Sequence, residues 1–192
     1  MADNVMVELV VPTIGHLPGY IDALKQGWSS DNLRPEACRE ELEKIERDSA
    51  AFLRSMDDPD ALGPDVVLSD GSSVPRLPGI RRWIWDGEFC GSIGFRWQRG
   101  TVALPPHCLG HIGFAVVPWK RNKGYATRAL ALLLPEARRI GLPYVELTTD
   151  PDNAASQKVI MANDGKLIEQ FTKSPQNGGG DCLRFRIALS RE

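Results

Sequence analysis

Between the apolar run Ile112 to Val117 and a helical pattern that puts Leu130, Leu133, Leu134 and Ala137 on one face, the chain reads Pro118-Trp-Lys-Arg121-Asn-Lys-Gly124-Tyr-Ala126-Thr127. A strand that passes into a helix through so short a turn leaves the first helical amides without partners, backed by the positive end of the helix dipole. The result is a seat for an anion. Gly124 and Ala126 keep bulk out of the seat, and Lys120, Arg121, Lys123 and Arg128 raise the positive potential around it. Few side chains nearby can move a proton. His111 opens the preceding strand, Glu146 and Asp150 lie on or just after the following one, and Tyr125 and Tyr144 could donate. Each has a plainer alternative: a hydrogen-bonded strand-end histidine, an ion-paired carboxylate, a turn cap, a packing residue at a helix start.

The anion can be narrowed by elimination, because the chain has neither Gly-x-x-x-x-Gly-Lys-Ser/Thr nor Gly-x-Gly-x-x-Gly. What remains, Arg121-Asn-Lys-Gly124-Tyr-Ala126, resembles the Gln/Arg-x-x-Gly-x-Gly/Ala signature of the GNAT superfamily of N-acetyltransferases. Its context agrees: Val116-x-Pro118 precedes it, Ala126-Thr127 begins a helix, and Thr149-Asp-Pro-Asp-Asn153-Ala-Ala-Ser156 follows one helix and strand later. The resemblance covers roughly residues 82 to 172. It implies acetyl-CoA as cosubstrate, with no metal. It also implies that the main chain of Phe114, Ala115 and Val116 pairs with the pantetheine, that the turn from Arg121 through Asn122, Lys123, Gly124, Tyr125 and Ala126 to Thr127 cradles the pyrophosphate, and that Asn153 and Ser156 hold the arm from the other side. Many relatives carry a glutamate five residues before that asparagine and a tyrosine seven after it; here those places hold Thr148 and Ile160. His111 and Glu146 are therefore the catalytic candidates by substitution.

The elements that must position these residues are readable in order. Val5 to Val11 alternates as a strand, Leu17 to Gly27 reads as a short helix, and a longer helix runs from Pro35 with Leu42, Ile45, Ala50 and Leu53 inward. Asp57 to Gly79, with Pro59, Pro64, Pro75 and Pro78, reads as a long irregular connection. Strands at Arg82 to Asp86 and Glu88 to Trp97 meet at Asp86-Gly87, and Leu109 to Val117 is the next strand. Pro135 predicts a kink in the following helix, Gly141 its end, and Tyr144 to Thr149 a strand parallel to the preceding one. A last helix from Asn153 to Ala162 and two closing strands, Lys166 to Phe171 and Leu183 to Leu189, complete the chain, with a mobile Gly178-Gly179-Gly180 hairpin loop between the two strands. The predicted architecture is one α/β (α+β) domain over residues 1–192, a GNAT-like mixed and mostly antiparallel sheet with one splayed parallel pair, flanked by helices.

A formal net charge of −2 over 192 residues argues against a general nucleic-acid binder. No apolar run reaches the roughly 18 residues a membrane span needs, and the start Met1-Ala-Asp-Asn is unlike a signal peptide, so a cytoplasmic protein with no membrane contact is expected. Cys38, Cys90, Cys108 and Cys182 are scattered as reduced thiols would be, and His107-Cys108-x-x-His111 lacks the further ligands of a zinc site. Asp57, Asp58, Asp60 and Asp65 could attract a cationic amine, and Trp83, Trp85 and Trp97 could line an acceptor pocket or simply pack. The reaction implied is direct attack of a primary amine, on a small molecule or a peptide, at the thioester carbonyl. A non-catalytic acyl-CoA-binding or sensing domain is the alternative, and a homodimer is common among the proteins it resembles.

Overall fold

The computed structural model describes residues 6–31, 34–68 and 70–189. In chain order its elements are β1 (Glu8–Val10), α1 (Leu17–Lys25), α2 (Ala37–Arg54), β2 (Asp57–Asp58), β3 (Val66–Val67), β4 (Ser73–Val74), β5 (Gly79–Trp85), β6 (Phe89–Arg96), β7 (Ile112–Val116), α3 (Tyr125–Ile140), β8 (Tyr144–Thr149), α4 (Ala154–Met161), β9 (Lys166–Thr172) and β10 (Asp181–Ala188). One sheet has the order β1-β5-β6-β7 with β2 beside β5, and a second has the order β8-β10-β9.

Period-two alternation gives the first sheet two buried faces. Ile84, Ile93, Phe95, Ile112 and Val116 share one core with Leu130, Leu133 and Leu134 of α3 and with Val145, Leu147, Phe185 and Ile187 of the second sheet. Trp83, Ala115 and Val117 point the other way, into a second core with Leu17, Tyr20, Leu24, Ile45 and Phe52 of α1 and α2. The two cores meet through the central strands, which is why β6 is buried along most of its length. Arg82 stitches the layers, pairing with Asp57 at 3.1 Å and with Glu136 of α3 at 3.0 Å.

Several expectations need adjustment. The first strand is shorter than read, and Val5 lies outside the described residues. The long helix is interrupted at Asp48, whose φ of −160° and ψ of 92° are not helical. The reason is local: the Asp48 carboxylate accepts the Ala51 amide at 2.8 Å, so it acts as the N-cap of a fresh helical segment. The stretch from Asp57 is not wholly irregular, since Asp57 and Asp58 extend the first sheet and Val66–Val67 pairs with Ser73–Val74 as a small hairpin. In contrast, α3 runs on through Pro135 to Ile140 and stops at Gly141, which takes a left-handed φ of 89°. Between β9 and β10 a 3-10 turn, Pro175–Asn177, precedes the glycines.

Every ladder among the described residues is antiparallel. The strands expected to run parallel, β7 and β8, belong to different sheets and share no ladder. They are joined at one place, His111. Its amide donates to the Glu146 carbonyl at 2.7 Å, and its ring Nδ1 accepts the Glu146 amide at 3.0 Å. Beyond that staple the outer edge of β7 pairs with no other strand among the described residues.

Candidate active site

The unpaired edge of β7 can be specified atom by atom. The Val117 amide donates to the Cys90 carbonyl at 3.0 Å, and the Arg96 amide donates to the His111 carbonyl at 2.9 Å. In an antiparallel ladder such bonded positions alternate, so residues 113 and 115 also turn their main chain toward β6. Phe114 and Val116 therefore turn their N–H and C=O groups outward. Ala115, expected to share in this, faces Ser92 instead. The Val116 carbonyl meanwhile accepts Arg121 Nε at 3.1 Å, which folds the turn back against the strand.

The turn itself forms a concave row of amides. Asn122 and Gly124 take left-handed φ values of 60° and 83°, and α3 begins at Tyr125. A left-handed residue beside a right-handed one, as Gly124 is beside Tyr125, tips successive N–H groups toward one point, a nest for an anion. Among the described residues no acceptor is bonded to the amides of residues 122–127. A Cβ on Gly124 would meet nothing within 4 Å, so the space above the turn is open.

What holds the nest is a buried knot beneath it. Tyr125 and Lys120 both donate to Asp86 Oδ2, the lysine at 2.8 Å, and Lys120 also reaches Glu88 at 3.2 Å. Burial alone would raise the Asp86 carboxyl, but the hydrogen bonds from Lys120 and Tyr125 outweigh it and hold it at about 2. The Tyr125 hydroxyl is pushed up to about 12, first by burial and then by its bond to Asp86. Tyr125 and Lys120 are thus both held by Asp86. Buried Asn163 fastens the first turn of α3 to α4, donating to the Thr127 carbonyl at 3.2 Å and the Val159 carbonyl at 2.9 Å. Opposite, Asn153 caps α4 by accepting the Ser156 amide at 3.0 Å, which leaves its own NH₂ group to donate.

The two expected proton movers are committed elsewhere. His111 is buried, and besides its Nδ1 contact its Nε2 lies 3.0 Å from the Val102 carbonyl, so Nε2–H donates and neither nitrogen is spare. Glu146 is clamped by Arg186 at 2.6 Å and Arg184 at 3.3 Å across the second sheet. Asp150 pairs with Lys173 at 2.7 Å. Ile160, in the place where relatives carry a tyrosine, is fully buried in the core.

The staple has a measurable signature. Burial, opposed by the Val102 hydrogen bond, lowers the His111 pKa below its ordinary 6.5. A depressed histidine is neutral in both states at high pH, so its contribution is complete above about 6.5 and is lost as pH falls through the folded value. The urea midpoint should therefore decline from pH 7 to pH 5.5, and more shallowly in His111→Gln, which cannot charge. His111→Ala, which orphans the Val102 carbonyl and the Glu146 amide, should cost about 2–4 kcal/mol in the same titrations.

On the α1/α2 side of the first sheet lies a cleft of about 420 Å³. Its walls come from α2, the β3–β4 hairpin, β5, β6 and the His107-Cys108 loop. The glycine pair Gly94 and Gly113, opposite each other on β6 and β7, leaves this face bare up to the open edge. Three of the four acidic residues expected to draw an amine are engaged: Asp57 pairs with Arg82, Asp60 with Arg99, and Asp58 accepts the Leu62 and Gly63 amides, while Asp65 does not line the cleft. Trp83 and Trp97 are packed in the cores and do not line the cleft. His107 does line it. No motif marked that role, because the residues that enclose His107 are distant in sequence.

The sequence profile described as the acetyltransferase (GNAT) domain matches residues 46–166, more than half of the chain. This chain belongs to the GNAT acetyltransferase family. As a member of that family it is an acetyltransferase. A search by sequence among curated proteins gave no match. Among solved structures, RimL, a ribosomal L7/L12 alpha-N-protein acetyltransferase in complex with coenzyme A, superimposes with a TM-score of 0.62 at 16% identity, covering 98% of this chain and 97% of that one. The microcin C7 self-immunity acetyltransferase MccE, in complex with acetyl-CoA and AMP, gives 0.60 at 14% identity over 95% and 92%. The Salmonella typhimurium enzyme that modifies the N-terminal serine of ribosomal protein L7/L12 gives 0.56 at 14% over 99% and 98%. At such identities the likeness is one of fold. Among the described residues of this GNAT domain no helix is long and apolar enough to cross a membrane, and no group of three His, Cys, Asp or Glu is placed to hold a metal ion.

Proposed function

We propose that this chain transfers an acetyl group from acetyl-CoA directly to a primary amine seated in the 420 Å³ cleft. The observation that carries the reading is succession along the chain. The outward main chain of Phe114 and the outward amide of Val116 are followed, one 3-10 turn later at Pro118–Lys120, by the unpaired amides of residues 122–127, a strand edge and then an anion nest. The nest takes the pyrophosphate, the edge takes the pantetheine, and the Asn153 amide donates from the facing side. An outward N–H on β7 is then aimed at the carbonyl oxygen, where charge develops when the amine attacks. Bound acetyl-CoA supplies the activated carbonyl and the thiolate leaving group.

The amine must lose a proton. Of the three histidines, His16 is bonded to Thr13 at 2.9 Å and His111 is fully engaged, whereas neither nitrogen of His107 has a partner among the described residues. We assign proton acceptance to His107, directly or through one water. The likeness to RimL and MccE supports an amine on a peptide or a small molecule as acceptor.

Free thiol should appear from acetyl-CoA only when a suitable primary amine is added. His107→Gln should lower kcat/KM about a hundredfold while leaving coenzyme A affinity intact. Failure of calorimetry to detect coenzyme A binding would remove the basis of the reading.

A further inference from the structure

Charges around the cleft are uneven. Arg76 is balanced by Asp58, 3.9 Å away, and Glu41, which keeps its charge while accepting the Tyr20 hydroxyl at 2.5 Å, is the other carboxylate in the lining, so four cations face two carboxylates. Lys44, Arg81 and Arg96 also line the cleft, and among the described residues none of the three has a carboxylate partner. Arg81 is fixed by Ser30, which accepts its Nη1 at 2.7 Å without neutralising it. Arg96 extends along the bare glycine face, with Nη2 3.9 Å from where a Cβ would stand on Gly113. The cations come from three different elements, α2, β5 and β6, so their convergence is a property of the folded cleft. Like charges gathered on a concave wall focus a positive potential that an anion relieves.

We propose that the acceptor carries a carboxylate or phosphate close to its amine, and that Arg81 and Arg96, assisted by Lys44, bind that group. This rests on the acetyl-transfer reading and adds the acceptor's class. Geometry gives the order of parts: the anion lies on the arginines over Gly94, and the amine reaches past Gly113 to the outward face of β7. The excess positive charge then selects against acceptors whose only charge is the ammonium. Arginine, planar and permanently charged, is suited to a forked contact with either anion.

The test is a ¹H–¹⁵N titration of the full chain loaded with coenzyme A, using the dipeptides glycyl-glutamate and the neutral glycyl-glutamine amide as probes. Glycyl-glutamate should shift the Gly94 and Gly113 amides and bind at least tenfold tighter than its neutral partner. That preference should vanish in the double variant Arg81→Gln, Arg96→Gln and at about 0.5 M salt, where surface charges are screened within a few ångströms. Exposed Lys44→Gln should weaken the preference about threefold, and it serves if the double variant does not fold. Equal binding of the two dipeptides, shifts with neither, or a preference untouched in all variants would overturn the proposal. Coenzyme A affinity, measured by calorimetry on the same samples, reports the donor site separately: its loss refutes acetyl transfer, whereas its retention with equal dipeptide binding refutes only the acceptor class.

Discussion

Asp86→Ala is expected to lower stability by about 3 kcal/mol, the cost of leaving a buried cation without its counterion, and to weaken coenzyme A binding at least tenfold. Asp86 sits in the turn between β5 and β6, yet it holds Lys120 and Tyr125, the residues on either side of the nest. Its removal strands Lys120, whose side chain is only 16% exposed, and frees the Tyr125 hydroxyl, so the start of α3 loses its floor. Lys120 can still reach Glu88, which places the loss at the lower end of the range for broken buried pairs. Urea titration and calorimetry with coenzyme A give the two numbers. The pH dependence follows from the same carboxyl. With a folded pKa of about 2 against an ordinary 3.8, its contribution is complete above 3.8 and is lost as pH falls through about 2. Asp86→Asn should show a correspondingly flatter acid limb; an unchanged limb would mean that the knot does not bear on stability.

Gly91→Ala should be comparably damaging, by about 3 kcal/mol, because it combines an overpacked backbone contact with a strained dihedral. A Cβ at Gly91 would lie 2.3 Å from the Ala115 carbonyl oxygen and 2.9 Å from the Val116 Cα, at a φ of 153°. No flexible side chain is available to yield; β7 itself must move. The displaced segment is the outward edge, so coenzyme A affinity should fall along with the melting temperature. A variant that melts normally and binds normally would show that the crossing of β6 and β7 is looser than described.

Some of this was readable from sequence for a physical reason. The nest is local: an apolar strand, a basic turn with Gly124 and a helix start are consecutive, and their hydrogen-bonding needs are set within a dozen residues. Gly141 and Asn153 as caps are equally local. The proton movers were not legible, because the fate of His111 depends on Val102 and on Glu146, and that of Glu146 on Arg184 and Arg186, across strand partners the sequence does not reveal. The break at Asp48 is not legible in the sequence, since an aspartate fits an amphipathic pattern as well as it caps a new segment. The cleft brings together residues from Glu41 to Cys108, and its charge imbalance emerges only once those residues are gathered in space.

The ring nitrogen that accepts the Glu146 amide makes that one proton a reporter on the whole molecule. While the imidazole is neutral the proton is shielded from solvent deuterium, and charging the ring turns the acceptor into a second donor, which releases it. Protection of the Glu146 amide, measured against the intrinsic exchange rate at each pH, should therefore fall on acidification, whereas Phe114 and Val116, facing outward, should show little protection until a thioester arm covers them.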